Sequence, residues 1–278
     1  MVIARLTPMI HLCRLHRPIG IWLLMLPCWW GVALCLSPFT KEFWQWLGLY
    51  FIGALCLRSA GCVVNDWADQ SFDARVARTR NRPLASKAVS KTQAICLFLV
   101  LMMGGIGVWM CLNPTAKILS ILAFVLLFIY PFMKRLTHWP QLVLGFAFNS
   151  GVLIACANQD ALHSSRPWLL YGVGILWTLA YDTIYAFQDI EDDQLLGLKS
   201  TALLFKNRPR LLPAVCYGGM FFGLCTLSYS TVSFLILGVV FGGAFVRLKR
   251  WKPHDAMDCM AFFKGHIYLG LFILFLLL

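Results

Sequence analysis

The sequence predicts an all-α protein, a polytopic membrane bundle of nine transmembrane helices. Three observations predict it. Of the 278 residues 60% are hydrophobic and only 13% charged, and the mean hydropathy is +0.73, beyond what a water-soluble domain of this length carries. Nine stretches are long and apolar enough to cross a hydrocarbon core about 30 Å thick, which takes roughly 20 residues of helix. The basic residues are distributed asymmetrically between those stretches. With the N-terminus cytoplasmic, twenty of the 24 Lys and Arg fall on inside segments. Lys41, Lys117 and Arg166 fall outside, and Arg58 lies within a helix. That is a strong positive-inside bias, and it accounts for the net charge of +12 without nucleic-acid binding.

The stretches centre at 19–36, 44–64, 94–112, 116–133, 141–157, 168–188, 211–229, 231–247 and 265–278. The first follows Arg14, Arg17 and Pro18 and is not followed by a small-residue cleavage site, so it reads as a retained helix. The second runs into an acidic segment and then a basic one. The third and fourth lead to Lys134 and Arg135. The fifth and sixth lead to a second acidic segment, again followed by basic residues. The last three have basic connections inside and place the C-terminus outside. Asp66 and Asp182 are 116 residues apart, as are Asp73 and Asp189, which suggests two four-helix pseudo-repeats plus a ninth helix. No linker or soluble domain interrupts the chain, so residues 1–278 read as one membrane domain with a central cavity open to the cytoplasm. The eleven cysteines contain no C-x-x-C pair and read as small packing residues. Trp22, Trp29, Trp30, Trp44 and Trp46 read mainly as an interfacial belt and packing surface. His11 and His16 are the only histidines near one another in sequence and read as interfacial residues.

Eight of the twelve acidic residues lie in two short runs, Asn65–Asp73 and Asp182–Asp193. Carboxylates beside a bilayer are costly and mark functional sites. At 100° per residue, Asp66, Asp69 and Asp73 share a helix face with Asn65 on its flank. Asp182, Asp189 and Asp193 form a second stripe with Asp192 at its edge, whereas Glu191 faces away. Oxygen-only ligands suit a hard cation, Mg2+ above all, which shares one or two carboxylates with substrate phosphates. Arg75, Arg78, Arg80 and Arg82 follow the first run and Lys199 the second, and Arg and Lys are good phosphate partners. Acids, metal and bases at one membrane face describe a diphosphate site, beneath which an apolar bundle holds a hydrocarbon tail.

These residues resemble the UbiA superfamily of intramembrane prenyltransferases, in particular its bacterial 4-hydroxybenzoate polyprenyltransferase branch. The signature N-D-x-x-D-x-x-x-D is met by Asn65, Asp66, Asp69 and Asp73. A second, Y-D-x-x-Y-A-x-x-D-x-x-D-D-x-x-x-G-x-K-S, is met by Tyr181, Asp182, Tyr185, Ala186, Asp189, Asp192, Asp193, Gly197, Lys199 and Ser200. The segments from Arg80 to Leu84 and from Tyr130 to Arg135 are also similar to that branch, as is Pro18-Ile19-Gly20. His16 stands where that N-terminal stretch carries Asp in the family.

The resemblance implies Mg2+-dependent transfer of a polyprenyl group from polyprenyl diphosphate to the 3-position of 4-hydroxybenzoate, releasing diphosphate, in ubiquinone biosynthesis at the bacterial inner membrane. Asp66, Asp69, Asp73, Asp182, Asp189 and Asp193 are the expected catalytic residues. Asn65, Asp66, Asp69, Asp73, Asp189, Asp192 and Asp193 are the expected metal ligands. Arg75, Arg82 and Lys199 are expected to bind diphosphate, and Lys134, Arg135 and Tyr185 to hold the acceptor. No obligate protein partner is implied. The alternatives are another aromatic acceptor, of dihydroxynaphthoate or homogentisate type, or an ion-coupled transporter. A transporter keeps single carboxylates near mid-membrane, whereas these are clustered at helix ends beside phosphate-binding cations.

Overall fold

The structure is a computed structural model that describes residues 2–74, 80–228 and 230–278, and the side chains of these except at positions 2–6, 72 and 73. Arg75 and Arg78, and the side chain of Asp73, lie outside the described residues. The described residues contain helices and no strand. In chain order they are α1 (Val2–Leu12), α2 (Ile19–Cys35), α3 (Lys41–Ala68), α4 (Gln70–Asp73), α5 (Lys91–Met110), α6 (Pro114–Leu136) and α7 (Pro140–Ala157). There follow α8 (Ser165–Ala186), a 3-10 turn (Phe187–Asp189), α9 (Ile190–Leu195), α10 (Thr201–Leu204), α11 (Leu211–Leu227), α12 (Thr231–Arg250) and α13 (Ala256–Leu277).

Local chemistry sets several of these boundaries. Ser90 and Gln93 form a capping box at the start of α5, which satisfies amide donors that the first helical turn leaves open. Asn113 caps α6 by accepting from the Ala116 amide, and Pro114 follows it where no backbone donor is needed. Asp255 accepts from the Met257 and Asp258 amides to start α13.

Six helices, α3, α5, α6, α7, α12 and α13, are long and apolar enough to cross a membrane, while α2 and α11 are apolar but 17 residues long. Each of the nine expected stretches overlaps a helix, although α8 is not among the six. The short helix α1 lies outside the expected set.

The helices sort into two compact units, Met1–Met25 with Trp44–Leu112, and Leu26–Phe43 with Asn113–Leu278. The boundary divides α2 and assigns α6 to the second unit, so the units do not follow the two four-helix halves. In the first unit Leu12, Val63, Leu84, Val89 and Ala94 form a core on which Leu97, Phe98 and Leu101 pack. Gly104 lets α5 approach α3, since a Cβ there would sit 2.8 Å from the Cys56 sulfur.

In the second unit α8 is central, packing on α7, α11 and α13, with α6 against α7. Trp177 at its middle is fully buried and donates to the His266 carbonyl at 3.2 Å. Trp30, one of the aromatics read as interfacial belt and packing surface, is fully buried. Its ring lies 5.0 Å from that of Trp177, and its Nε1 donates to the Gly270 carbonyl at 2.8 Å. A buried indole keeps its single donor satisfied, and Gly270 has no side chain to cover that carbonyl.

Candidate active site

The first signature lies at the C-terminal end of α3, in the first unit. Helix α3 ends at Ala68 and α4 resumes at Gln70, while the Asp69 amide still bonds to the Asn65 carbonyl at 2.9 Å. The expected single acidic face is therefore interrupted by a turn at Asp69, and its members sit in different surroundings. Asp66 is 2% exposed, whereas Asn65 and Asp69 are exposed to solvent.

Two guanidinium groups neutralise the buried carboxylate. Arg14 donates from Nη2 to Asp66 Oδ1 at 2.8 Å, and Arg82 Nη1 lies 3.5 Å from the same oxygen. Arg14 reaches it from a left-handed backbone conformation, φ 57°, which costs a non-glycine residue about 1 kcal/mol and occurs where surrounding contacts enforce it. Arg82 is held near by its neighbour Leu84, which is fully buried and whose carbonyl accepts from Gln70 Nε2 at 2.8 Å. Arg82, expected to bind diphosphate, is thus partnered by a signature aspartate. Arg58 lies against Gly20, where a Cβ would meet its Nε at 2.3 Å, so the glycine of Pro18-Ile19-Gly20 makes room for a guanidinium.

His11, in the last turn of α1, stacks on His16 with ring centroids 4.3 Å apart and planes inclined by 15°. Partial burial holds His16 below the ordinary imidazole value, and the charges of His11, Arg17 and Arg14 push in the same direction.

The second signature lies at the end of α8, in the second unit. There the α-helix gives way to the 3-10 turn Phe187–Asp189 before α9 begins. A 3-10 turn advances about 120° per residue rather than 100°, so Asp182, Asp189 and Asp193 do not form the uniform stripe the sequence implied. Asp182 and Asp189 are half-buried, Asp192 and Glu191 exposed, and Asp193 is buried.

Helix α6 supplies the groups that meet these acids. The Tyr130 hydroxyl and the positive charge of Lys134 both act on the Asp182 carboxylate. Lys134 Nζ lies 3.5 Å from Asp193 Oδ1. Tyr130 and Lys134 are four residues apart and share one helix face, which places a donor and a cation between two signature aspartates. Lys134, expected to meet an acceptor carboxylate, is therefore engaged by Asp193, while its neighbour Arg135 is exposed.

Lys199 is tied to the same corner. Its backbone amide donates to the Lys134 carbonyl at 2.7 Å, and Nζ donates to the Leu136 carbonyl at 3.2 Å. A lysine there complements the negative end of the α6 dipole, a use of its charge that the diphosphate assignment did not anticipate. The turn behind it is fixed by a buried network. Thr201 donates from its amide to Gln141 Oε1 at 3.1 Å, and the Thr183 and Thr201 hydroxyls are 2.7 Å apart. The Tyr185 ring packs 4.7 Å from Phe263.

The donor set fits a hard divalent ion. All the acids offer oxygen ligands, and Asp193 Oδ2 is buried with no hydrogen-bond partner among the described residues. No three His, Cys, Asp or Glu side chains close on one point among the described residues, so neither unit by itself assembles the expected seven-residue ligand set. In the first unit Arg14 and Arg82 hold Asp66, and in the second Lys134 holds Asp193.

Sequence reasoning did not single out Arg14 or Tyr130 as site residues. Arg14 stands 52 residues from its partner, a separation that no local pattern reveals. Tyr130 does lie in the segment, Tyr130 to Arg135, whose resemblance had drawn attention.

The chain matches the UbiA prenyltransferase family over residues 24–276. It is 43% identical over 206 residues to the mitochondrial 4-hydroxybenzoate polyprenyltransferase of Mus musculus, covering 74% of this chain and 55% of that protein, so it spans about half the length of that relative. It is 38% identical over 266 residues to the 4-hydroxybenzoate octaprenyltransferase of Alkalilimnicola ehrlichii, covering 94% of this chain and 89% of the relative. The fold is that of a UbiA homologue from Archaeoglobus fulgidus solved bound to GPP and Mg2+, with a TM-score of 0.63, 14% identity, and 96% and 99% of the two chains covered. On the extent of the family match and the identity to these relatives, the chain belongs to the UbiA prenyltransferase family.

Proposed function

We propose that this protein transfers a polyprenyl group from a polyprenyl diphosphate to the 3-position of 4-hydroxybenzoate, releasing diphosphate, as a step of ubiquinone synthesis. The observation that carries the reading is the cluster on α6, α8 and α9. There Lys134 pairs with Asp193, Lys134 and Tyr130 both act on the Asp182 carboxylate, and Asp193 keeps one buried oxygen without a hydrogen bond among the described residues. Asn65, Asp66, Asp69 and Asp73 of the first signature and Asp189, Asp192 and Asp193 of the second are the residues that would hold Mg2+. Mg2+, when bound, neutralises charge on the departing diphosphate.

The chain's own residues bind, orient and keep out water. Arg75, Arg82 and Lys199 contribute positive charge to the diphosphate, Arg82 exchanging its contact with Asp66 for a phosphate oxygen. As the bond between the prenyl C1 and the diphosphate oxygen breaks, positive charge spreads over the allylic group, and preorganised carboxylates and ring faces stabilise it. Tyr185, packed on Phe263, presents such a face. The acceptor ring forms the new carbon–carbon bond beside its phenol oxygen, and loss of the ring proton there restores aromaticity. Arg135, with Lys134, meets the acceptor carboxylate. Apolar helices exclude the water that would otherwise trap the cation.

In this reading the chain crosses the membrane nine times, through α2, α3, α5, α6, α7, α8, α11, α12 and α13. The N-terminus and both acidic segments lie on the cytoplasmic side of a bacterial inner membrane, and the C-terminus lies outside. The distribution of Lys and Arg supports that orientation.

The test is an acceptor panel. Purified protein in detergent, supplied with Mg2+ and a long polyprenyl diphosphate, should convert 4-hydroxybenzoate to its 3-polyprenyl derivative. Turnover of a dihydroxynaphthoate but not of 4-hydroxybenzoate sinks the acceptor assignment. Asp66→Ala and Asp189→Ala should each abolish turnover in folded protein, and Mg2+-dependent activity in both defeats the metal assignment.

A further inference from the structure

At the far end of the second unit, two cysteines from different helices meet. Cys35 is the last residue of α2 and Cys156 the penultimate residue of α7. Their sulfurs are 3.1 Å apart, with the Cys35 thiol donating to Cys156. That is about 1 Å beyond a formed S–S bond of ~2.05 Å.

The approach is built by the helices. Helices α2 and α7 run parallel and touch along one stripe. A Cβ on Gly151 would lie 2.6 Å from the Cys28 sulfur, and one on Gly31 would lie 2.6 Å from the Val152 carbonyl oxygen and 2.7 Å from the Ala155 Cβ. Glycines at such a seam let two backbones come close. Cys35 and Cys156 are the next contact along it, each four residues beyond Gly31 and Val152.

The end of α7 is itself fixed. Asn113 donates from Nδ2 to the Ala157 carbonyl at 2.7 Å, and its amide donates to Asn158 Oδ1 at 2.8 Å. Cys156 is fully buried and Cys35 half-exposed, so one thiol is accessible and the other is held behind it. The second signature lies at the opposite end of α8, which packs against α7, so this pair sits away from those acids.

We propose that Cys35 and Cys156 are a redox-active pair that closes to a disulfide joining α2 to α7, with a small-molecule or protein disulfide as the oxidant. The Cys35 thiolate attacks one sulfur of that disulfide, forming a mixed disulfide and expelling one thiolate. Cys156 then gives up its proton and attacks the Cys35 sulfur, forming the Cys35–Cys156 bond and expelling the second thiolate. The two thiol protons pass to the two departing thiolates, so the oxidant is reduced to two thiols. The accessible thiol makes the first attack and the buried one resolves it, an order set by their exposure. The other cysteines act as small packing residues.

The test uses the full-length protein in detergent, equilibrated with glutathione disulfide, then denatured, alkylated and mapped by mass spectrometry. Two of the eleven thiols should escape alkylation, a Cys35–Cys156 cross-linked peptide should appear, and reductant should restore both. Cys156→Ala should leave a glutathione adduct on Cys35 that no longer resolves, and Cys35→Ser should leave Cys156 unmodified. Alkylation of all eleven thiols after oxidation, or cross-links that leave Cys35 and Cys156 alkylated, overturns the proposal. Because the unsubstituted protein carries the decisive reading, a variant that fails to fold does not shield it.

Discussion

Removing the guanidinium groups around Asp66 tests the buried ion pair that anchors the first signature. The Asp66 side chain is 1% exposed, and those of Arg14 and Arg82 are 30% and 26% exposed, at 2.8 and 3.5 Å from Oδ1. At an effective dielectric of ~20 the gross attraction is about 6 kcal/mol for the first pair and about 5 kcal/mol for the second. Desolvation offsets most of it, and a hydrogen bond to a charged group nets ~1.5–3 kcal/mol. Arg14→Ala should therefore cost about 2 kcal/mol. Arg82→Ala, whose contact is longer than a good hydrogen bond, should cost ~1 kcal/mol. The double variant removes both of these guanidinium groups from a buried carboxylate, and breaking a buried ion pair costs about 3–5 kcal/mol, so its loss should be at least the sum of the single losses. Reversible unfolding in mixed detergent micelles measures all three, and the Asp66→Asn background should reduce the Arg14→Ala loss by more than ~0.5 kcal/mol, the usual limit of additivity for uncoupled sites. A loss for Arg14→Ala below about 0.5 kcal/mol that is unchanged in that background would refute the reasoning.

Three further outcomes are expected. Gly31→Ala should lower Tm, since the added Cβ meets the Val152 backbone oxygen at 2.6 Å and overpacking costs ~1–3 kcal/mol. Gly242→Ala, with nothing within 4 Å of the new carbon, should not, and equal Tm values for the two variants contradict the helix seam. Gln141→Leu strands the buried Thr201 amide, a loss of about 1–3 kcal/mol, and should speed hydrogen exchange at that amide; unchanged exchange means that Gln141 does not brace the Lys199 turn. His16 should titrate below the ordinary imidazole value by NMR, because its surroundings disfavour the charged form. Its unfolded state then binds the proton more readily, so any contribution to stability is present above the ordinary value near 6.5 and fades as pH falls through it toward the folded value. A midpoint at or above the ordinary value contradicts the crowding of His16 by His11, Arg14 and Arg17.

Most helices were legible because hydropathy is a local property. The stretch 141–157 became α7, Pro140–Ala157, and 116–133 became α6, Pro114–Leu136. The acids were legible as well, since eight carboxylates in two short runs stand out against an apolar chain. Their helical phase was less so. The turn at Asp69 and the 3-10 turn at Phe187–Asp189 interrupt runs that constant 100° steps would have kept in register. The partners of the acids were not legible at all. Arg14 meets Asp66 across 52 residues, and Lys134 meets Asp193 because α6 packs on α7 and α7 on α8.

By itself the sequence determined the membrane-spanning all-helical class, the two acidic signatures and the family they signal, all of which depend on residue type and short spacing. Only the tertiary structure decided which signature acids are buried and which cations neutralise them. It also decided that Cys35 and Cys156 lie beside each other. Burial and pairing depend on which helix faces meet, and that depends on packing between segments far apart in the chain.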